Sequence, residues 1–181
     1  MNPGTVFNKI NSKNNREVIL RAPKKEDRED LRTLINELVE EEALIGRDTM
    51  VSKKQQVDRH EKLIENVKKD KVIAVVSEVD GKVIGFTMAE PRFGRLKHVA
   101  SFGISIRKEF RSQGIGSKMI EELEKQVKSK GIEIMILEVY ANNRSRRLYK
   151  KLGYEEYGVL PEGIKYHGEY IDCVSMYKKI P

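Results

Sequence analysis

The sequence contains no tryptophan and a single cysteine, Cys173. One thiol can form no intrachain disulfide and cannot build a zinc-finger ligand set. Its three histidines, His60, His98 and His167, stand far apart, which removes the usual spacing of a structural metal site. No apolar run approaches the about 18 residues that a membrane-spanning helix needs. The opening MNPGTVFNKINSKNN has no apolar stretch of the kind a secretory signal carries. The expectation is therefore a soluble, cytoplasmic domain with no membrane partner. What the chain has in plenty is charge: 35% of its 181 residues are charged, with a net value of +7. That balance favours anionic partners, whether phosphates, nucleotide cofactors or nucleic acid.

The length suits one domain with a sizeable core. Residues 1–15 are rich in Asn and Lys with little periodicity, and read as a flexible N-terminal arm, or alternatively as an edge extension of the fold. The domain proper is expected over 16–181. Val18-Ile19-Leu20 suits a first strand. Leu31, Leu34, Ile35, Leu38 and Val39 recur at helical spacing in a region that Gly46 would end, and a second helix follows the N-cap candidate Ser52. Period two then returns over Val72–Val79 and Val83–Ala89, around the hairpin signal Asp80-Gly81, and again over His98–Ile106. Ile115, Met119, Leu123 and Val127 form a helical stripe. Ile132–Tyr140 reads as a strand buried on both faces. A short helix holds Leu148 and Leu152 and stops at Gly153. Two last strands are expected, joined across Pro161–Gly168. This order predicts a single α/β domain, a mixed central sheet flanked by helices.

The sharpest local feature is Arg111-Ser112-Gln113-Gly114-Ile115-Gly116-Ser117, between a strand and a helix. Glycine there lets backbone N–H groups converge on an anion without Cβ obstruction, and the helix N-terminus adds partial positive charge. A Rossmann fingerprint would need a third glycine at Met119, and a P-loop would need Lys where Ser117 stands, so neither motif is present.

The stretch from Ile104 to Ser117 resembles the cofactor motif of the GNAT superfamily of acyl-CoA-dependent N-acyltransferases, Arg/Gln-x-x-Gly-x-Gly/Ala, through Arg111, Gly114 and Gly116. Downstream, Leu137-Glu138-Val139 followed by Asn142, Ser145, Leu148, Tyr149, Gly153 and Tyr154 resembles the second half of that family's core. The resemblance covers roughly residues 17–180. It differs in one spacing: two residues separate Val139 from Asn142 where the family commonly has three, so Asn142 and Asn143 both qualify for the asparagine position. Among its members, the chain resembles the ribosomal-protein alanine and amino-acid N-acetyltransferases.

The resemblance implies acetyl transfer from acetyl-CoA to a primary amine. It implies that Ile104, Ser105 and Ile106 pair with the pantetheine arm. It places Arg111, Ser112, Gln113, Gly114, Ile115, Gly116 and Ser117 at the pyrophosphate, and Asn142, Asn143, Ser145 and Lys151 along the cofactor. It implies Tyr149 as the general acid for the leaving thiolate, since a phenol of pKa ~10 is protonated at neutral pH. Glu138 is the candidate base, because a carboxylate in so apolar a strand is costly to bury without a partner or a role. His98 is a second candidate. No metal is called for.

Arg107, Lys108, Arg111 and Lys118 flank the glycine turn, and Arg144, Arg146, Arg147, Lys150 and Lys151 crowd the later helix. The positive charge thus tracks the cofactor motif, and no tryptophan supplies a stacking platform, so nucleic acid is the weaker expectation. A non-catalytic acyl-CoA sensor is the other alternative. Glu40-Glu41-Glu42, at the end of the first helix, would either attract a cationic acceptor or form a solvated charge run. The acceptor's identity and the oligomeric state, a homodimer included, stay open at this level.

Overall fold

The computed structural model describes residues 1–181. A mixed sheet of eight strands runs in the order β1-β2-β3-β4-β5-β6-β8-β7. The strands are β1 (Val6–Asn11), β2 (Glu17–Arg21), β3 (Ile73–Val79), β4 (Lys82–Pro91), β5 (Val99–Ile106), β6 (Ile134–Tyr140), β7 (Glu155–Tyr166) and β8 (Glu169–Lys179). Helices α1 (Arg28–Glu40) and α2 (Lys53–Lys68) lie between β2 and β3, α3 (Ile115–Lys128) between β5 and β6, and α4 (Arg146–Lys151) between β6 and β7.

The helices take opposite faces of the sheet because their apolar stripes require it. Met119, Ile120, Leu123 and Val127 of α3 are fully buried against Val75, Ala89, Phe102 and Met135 in the main core. Leu31, Leu34 and Leu38 of α1 pack on the other face, against Val76, Val83 and Phe86. Ser52 caps α2 as its sequence predicts: its hydroxyl accepts from the Gln55 N–H at 3.2 Å, and the Gln55 side chain accepts the Ser52 N–H at 3.0 Å. A buried pair of bonds, Asn36 to Val51 in both directions at 3.1 and 2.7 Å, ties the α1–α2 loop back onto α1.

One pairing departs from the rest. Strands β5 and β6 are the only parallel neighbours, and they pair only where Val99–Ser101 meet Ile134–Ile136. Beyond that they part. β5 continues beside β4 as far as Ile106, while β6 follows β8 to Tyr140. The sheet is therefore split at the C-terminal ends of these two strands, where α/β folds place their ligands.

Four expectations need correction. Residues 6–11 are not a frayed arm; they form the edge strand β1, paired antiparallel with β2. A register irregularity between Val6 and Asn8 breaks the period-two signal there, while Phe7 and Ile10 still pack on the core. Helix α1 stops at Glu40, well before Gly46. Glu42 takes the left-handed position at φ 51°, and the Ala43 N–H closes the helix on Leu38 O at 2.9 Å. β6 is not buried on both faces: Met135, Leu137 and Val139 are buried, whereas Ile136 and Tyr140 are partly open and Glu138 is exposed. Finally, Pro161 lies inside β7, and the hairpin turns at His167-Gly168, both with positive φ. β7 is an edge strand with irregular register between Leu160 and Ile164, so a residue without an N–H is tolerated.

Candidate active site

The split in the sheet opens into one continuous cleft of about 1420 Å³. At one end stands the glycine turn. Gly114 has φ 85°, a left-handed conformation that glycine adopts freely, and space in front of it is open: an added Cβ there would have no neighbour within 4 Å. Ser112 also has positive φ. No hydrogen bond within the protein is donated by the backbone N–H groups of Ser112 through Ser117; Lys118, bonded to Gly114 O at 3.3 Å, is the first of α3 to find an acceptor. A run of unpaired amides at the start of a helix is chemically suited to an oxyanion. Gly116 is small for a second reason: a Cβ there would come within 3.2 Å of Ile106 and 3.6 Å of Leu148, across the width of the split.

The free edge of β5 forms the next part. Its hydrogen bonds fix which way each residue's backbone faces. Arg92 N–H bonds Val99 O, and Arg107 N–H bonds Ile84 O, so the odd-numbered residues face β4. Ile134 N–H bonds His98 O, so the even-numbered residues face β6. Where β6 has departed, the backbone groups of Ile104 and Ile106 therefore point into the gap. The Ile106 carbonyl is taken by the Arg111 guanidinium at 2.9 Å. Ser105 turns its backbone to β4 and contributes its side chain to the cleft floor.

Tyr149, 7% exposed as a residue, borders the cleft with its ring edge-to-face with Phe102 at 6.1 Å. Burial pushes its phenol above the ordinary value, and the Ser145 hydroxyl partly offsets this. The phenol is thus protonated at neutral pH and able to donate, although the same desolvation disfavours the tyrosinate that donation leaves. Glu138 also borders the cleft. The expectation of a buried carboxylate fails: Glu138 is exposed, on the face of β6 that it shares with the partly open Ile136 and Tyr140. Asn143 is committed to the turn: its carbonyl accepts from the N–H and hydroxyl of Ser145 at 2.9 and 2.8 Å. Asn142 is exposed to the cleft.

Of the residues that the sequence assigned to the cofactor, Ile104, Ser105, Ile106, Arg111, Ser112, Gly114, Gly116, Ser117, Asn142, Asn143, Ser145 and Lys151 border the cleft. The side chains of Gln113 and Ile115 do not. Ile115 is 1% exposed in the core. The Gln113 side-chain amide donates to Glu109 O at 2.7 Å, and the Gln113 backbone carbonyl accepts the Lys13 N–H at 3.1 Å. That contact brings Lys13, which the sequence did not single out, to the rim. His98 lies outside the cleft.

The basic cradle is thinner than the sequence suggests. Arg107 is buried, bonded to Val83 O and Asp30 O and paired with Glu37. Lys118 pairs with Glu121, and Arg146 and Lys150 both pair with Glu156. Of the flanking cations only Arg111, Arg144 and Lys151 reach the cleft. The acidic run is not an acceptor site in this cleft either, since Glu41 pairs with Arg111 and none of Glu40–Glu42 lines it.

The far end has a floor and a roof. Phe86, Met88 and Glu90 of β4, Gly103 of β5 and Glu138 of β6 form the floor on one face of the sheet. The α1–α2 loop forms the roof. It is held by three hydrogen bonds: Tyr140 to Ile45 O at 2.8 Å, Asn143 to Leu44 O at 3.4 Å, and Tyr166 to Glu42 O at 2.7 Å. None of these tethers was legible as local sequence.

The fold is a mixed α/β sheet split between its two parallel strands, with a glycine turn and a helix N-terminus at the mouth of the split. The chain belongs to the acetyltransferase (GNAT) family, which it matches over residues 31–154. It is 34% identical over 110 residues to the N-alpha-acetyltransferase of Sulfurisphaera tokodaii, an alignment covering 54% of this chain and 65% of that protein. It is 32% identical over 107 residues to the L-amino acid N-acetyltransferase AaaT of Escherichia coli, covering 56% and 65%. The chain thus spans just under two thirds of the length of these curated relatives. Among solved structures it is similar to the ribosomal-protein-alanine N-acetyltransferase of Brucella melitensis, at 26% identity with a TM-score of 0.79, covering 88% of this chain and 98% of that one. No helix is long and apolar enough to cross a membrane.

Proposed function

We propose that the chain transfers an acetyl group from acetyl-CoA to a primary amine by direct attack. The observation that carries this reading is the run of unpaired amides from Ser112 to Ser117, opening beside the free edge of β5 with Tyr149 at the same split. The residues fit the cofactor: the amides and Arg111 suit a pyrophosphate, the Ile104 and Ile106 backbone suits the amide groups of a pantetheine arm, and Lys13, Arg144 and Lys151 supply positive charge. Acetyl-CoA supplies an activated acyl carbon. In the transfer, the acceptor nitrogen forms the new C–N bond, the C–S bond breaks, the amine gives up a proton and the thiolate gains one.

In this reading Tyr149 donates the proton to sulfur, and Glu138 receives the amine's proton directly or through water. Asn142, not Asn143, faces the cofactor, since Asn143 is occupied with Ser145. The roof tethered over Tyr140 favours a small acceptor over a folded protein surface. The test is thiol release from acetyl-CoA across a panel of amines, with acetyl-CoA binding measured separately by calorimetry. Turnover with at least one amine is expected. Absence of acetyl-CoA binding would overturn the reading, and binding without turnover of any amine would leave an acyl-CoA sensor in its place.

A further inference from the structure

The roof and α2 bring two guanidinium groups to the far end of the cleft. Arg47 lies just beyond Ile45, and Arg59 lies on α2; both line the cavity. Neither belongs to an ion pair, in contrast to Arg107, Arg111 and Arg146. The one bond that Arg47 makes is a long one, 3.4 Å to Thr49 O. Partial burial and the charge of Arg47 both lower the pKa of Arg59, in keeping with two cations at the wall of one cleft. Two cations at the wall of one cleft, neither paired with a carboxylate, are a cost to the folded protein. An oxyanion placed between them would offset it.

Opposite this pair, the floor carries the two carboxylates of the cleft, Glu90 and Glu138. The acceptor end is therefore polarised: negative on the sheet and positive on the roof. An acceptor with only an amine would match the floor and leave the arginines unmet. We infer that the acceptor is a free amino acid, with its amine toward the sheet and its carboxylate held by the forks of Arg47 and Arg59. Leu63, Phe86 and Met88 give an apolar side chain a place between the two poles. This inference rests on the acetyl-transfer reading.

The experiment compares L-leucine, L-leucinamide and 3-methylbutylamine, which differ only at the carboxyl position. The amide's amine is the less basic and the more available for attack at neutral pH, so a preference for the acid cannot come from amine basicity. Wild type is expected to use leucine with a kcat/KM about 10²-fold above that of the amide. Arg59→Gln and Arg47→Gln should each raise KM for leucine about 10-fold or more, leave the amide unchanged and keep acetyl-CoA affinity; Arg59→Lys should recover only part of the loss. Calorimetric binding of N-acetyl-L-leucine, weakened in the same variants, gives a readout independent of turnover. Melting curves establish that the variants fold, as expected for partly exposed side chains. Turnover of all three amines without preference for the acid, or equal losses on all three in the variants, overturns this inference and leaves acetyl transfer standing. A raised KM for acetyl-CoA instead would assign the arginines to the cofactor. If no amine is turned over, failure of N-acetyl-L-leucine to bind wild type overturns the carboxylate site as well.

Discussion

The Tyr140 hydroxyl donates to the carbonyl oxygen of Ile45 at 2.8 Å, joining residues 95 positions apart. One is the last residue of β6, and the other lies in the loop after α1. The bond pins the roof of the cleft's far end to the sheet that forms its floor. Tyr140→Phe keeps the ring, which packs edge-to-face on Tyr166, and deletes only this tether. Stability should fall by about 0.5–1.5 kcal/mol. KM for the acceptor should rise several-fold while acetyl-CoA affinity holds. Steady-state kinetics and calorimetry check both halves.

Gly114→Val places a β-branched residue at φ 85° and puts its side chain into the open space before the amides. The backbone conformation alone costs about 1–2 kcal/mol for a non-glycine residue. Acetyl-CoA affinity should drop at least tenfold in a folded variant. Equal affinity in calorimetry would remove the turn from the cofactor site.

Tyr149→Phe should lower the single-turnover acetylation rate by about 10²-fold or more with acetyl-CoA binding kept. Single-turnover rates are the ones to compare, because slow product release would hide a chemical step. Unchanged rates would return Tyr149 to a packing role beside Phe102.

The tyrosines also set an alkaline limit to stability. Burial raises the pKa of Tyr149 and Tyr140, and burial together with Glu124 raises that of Tyr154. A group whose folded pKa lies above its unfolded value of about 10 contributes its full stability below that pH. The contribution is lost as pH rises through the folded values. Denaturant midpoints should therefore hold from pH 8 to about 10 and fall above it, less steeply in Tyr149→Phe.

Glu138→Gln tests the proton acceptor. If Glu138 takes the amine's proton, the wild-type rate rises along an acid limb that the variant loses or displaces, with cofactor affinity intact. An unchanged limb and rate would leave the proton to another route, and Glu90, on the same floor, would be the next residue to replace.

Much of this protein is local information. The hairpin at Asp80-Gly81, the cap at Ser52, the α3 stripe and the turn at Gly114 are each written within a few neighbouring residues, because turn, cap and helix signals act over one or two turns of chain. The glycine-turn end of the cleft is built from one such stretch, so most of the residues that border it could be named from sequence. Even there, side-chain direction was not local. Ile115 turns into the core and Arg107 is buried on α1, since packing against distant elements decides which way a residue faces. The exposure of Glu138 and the strand at residues 6–11 likewise depended on what covers β6 and on where β2 finds a partner. The other end of the cleft belongs wholly to tertiary structure. Its roof comes from the α1–α2 loop, its floor from β4 and β6, and its tether from the β7–β8 hairpin. Arg47 lines the same cleft as Arg59 with Tyr140, Asn143 and Tyr166 holding the loop before it in place, and no local pattern encodes that placement.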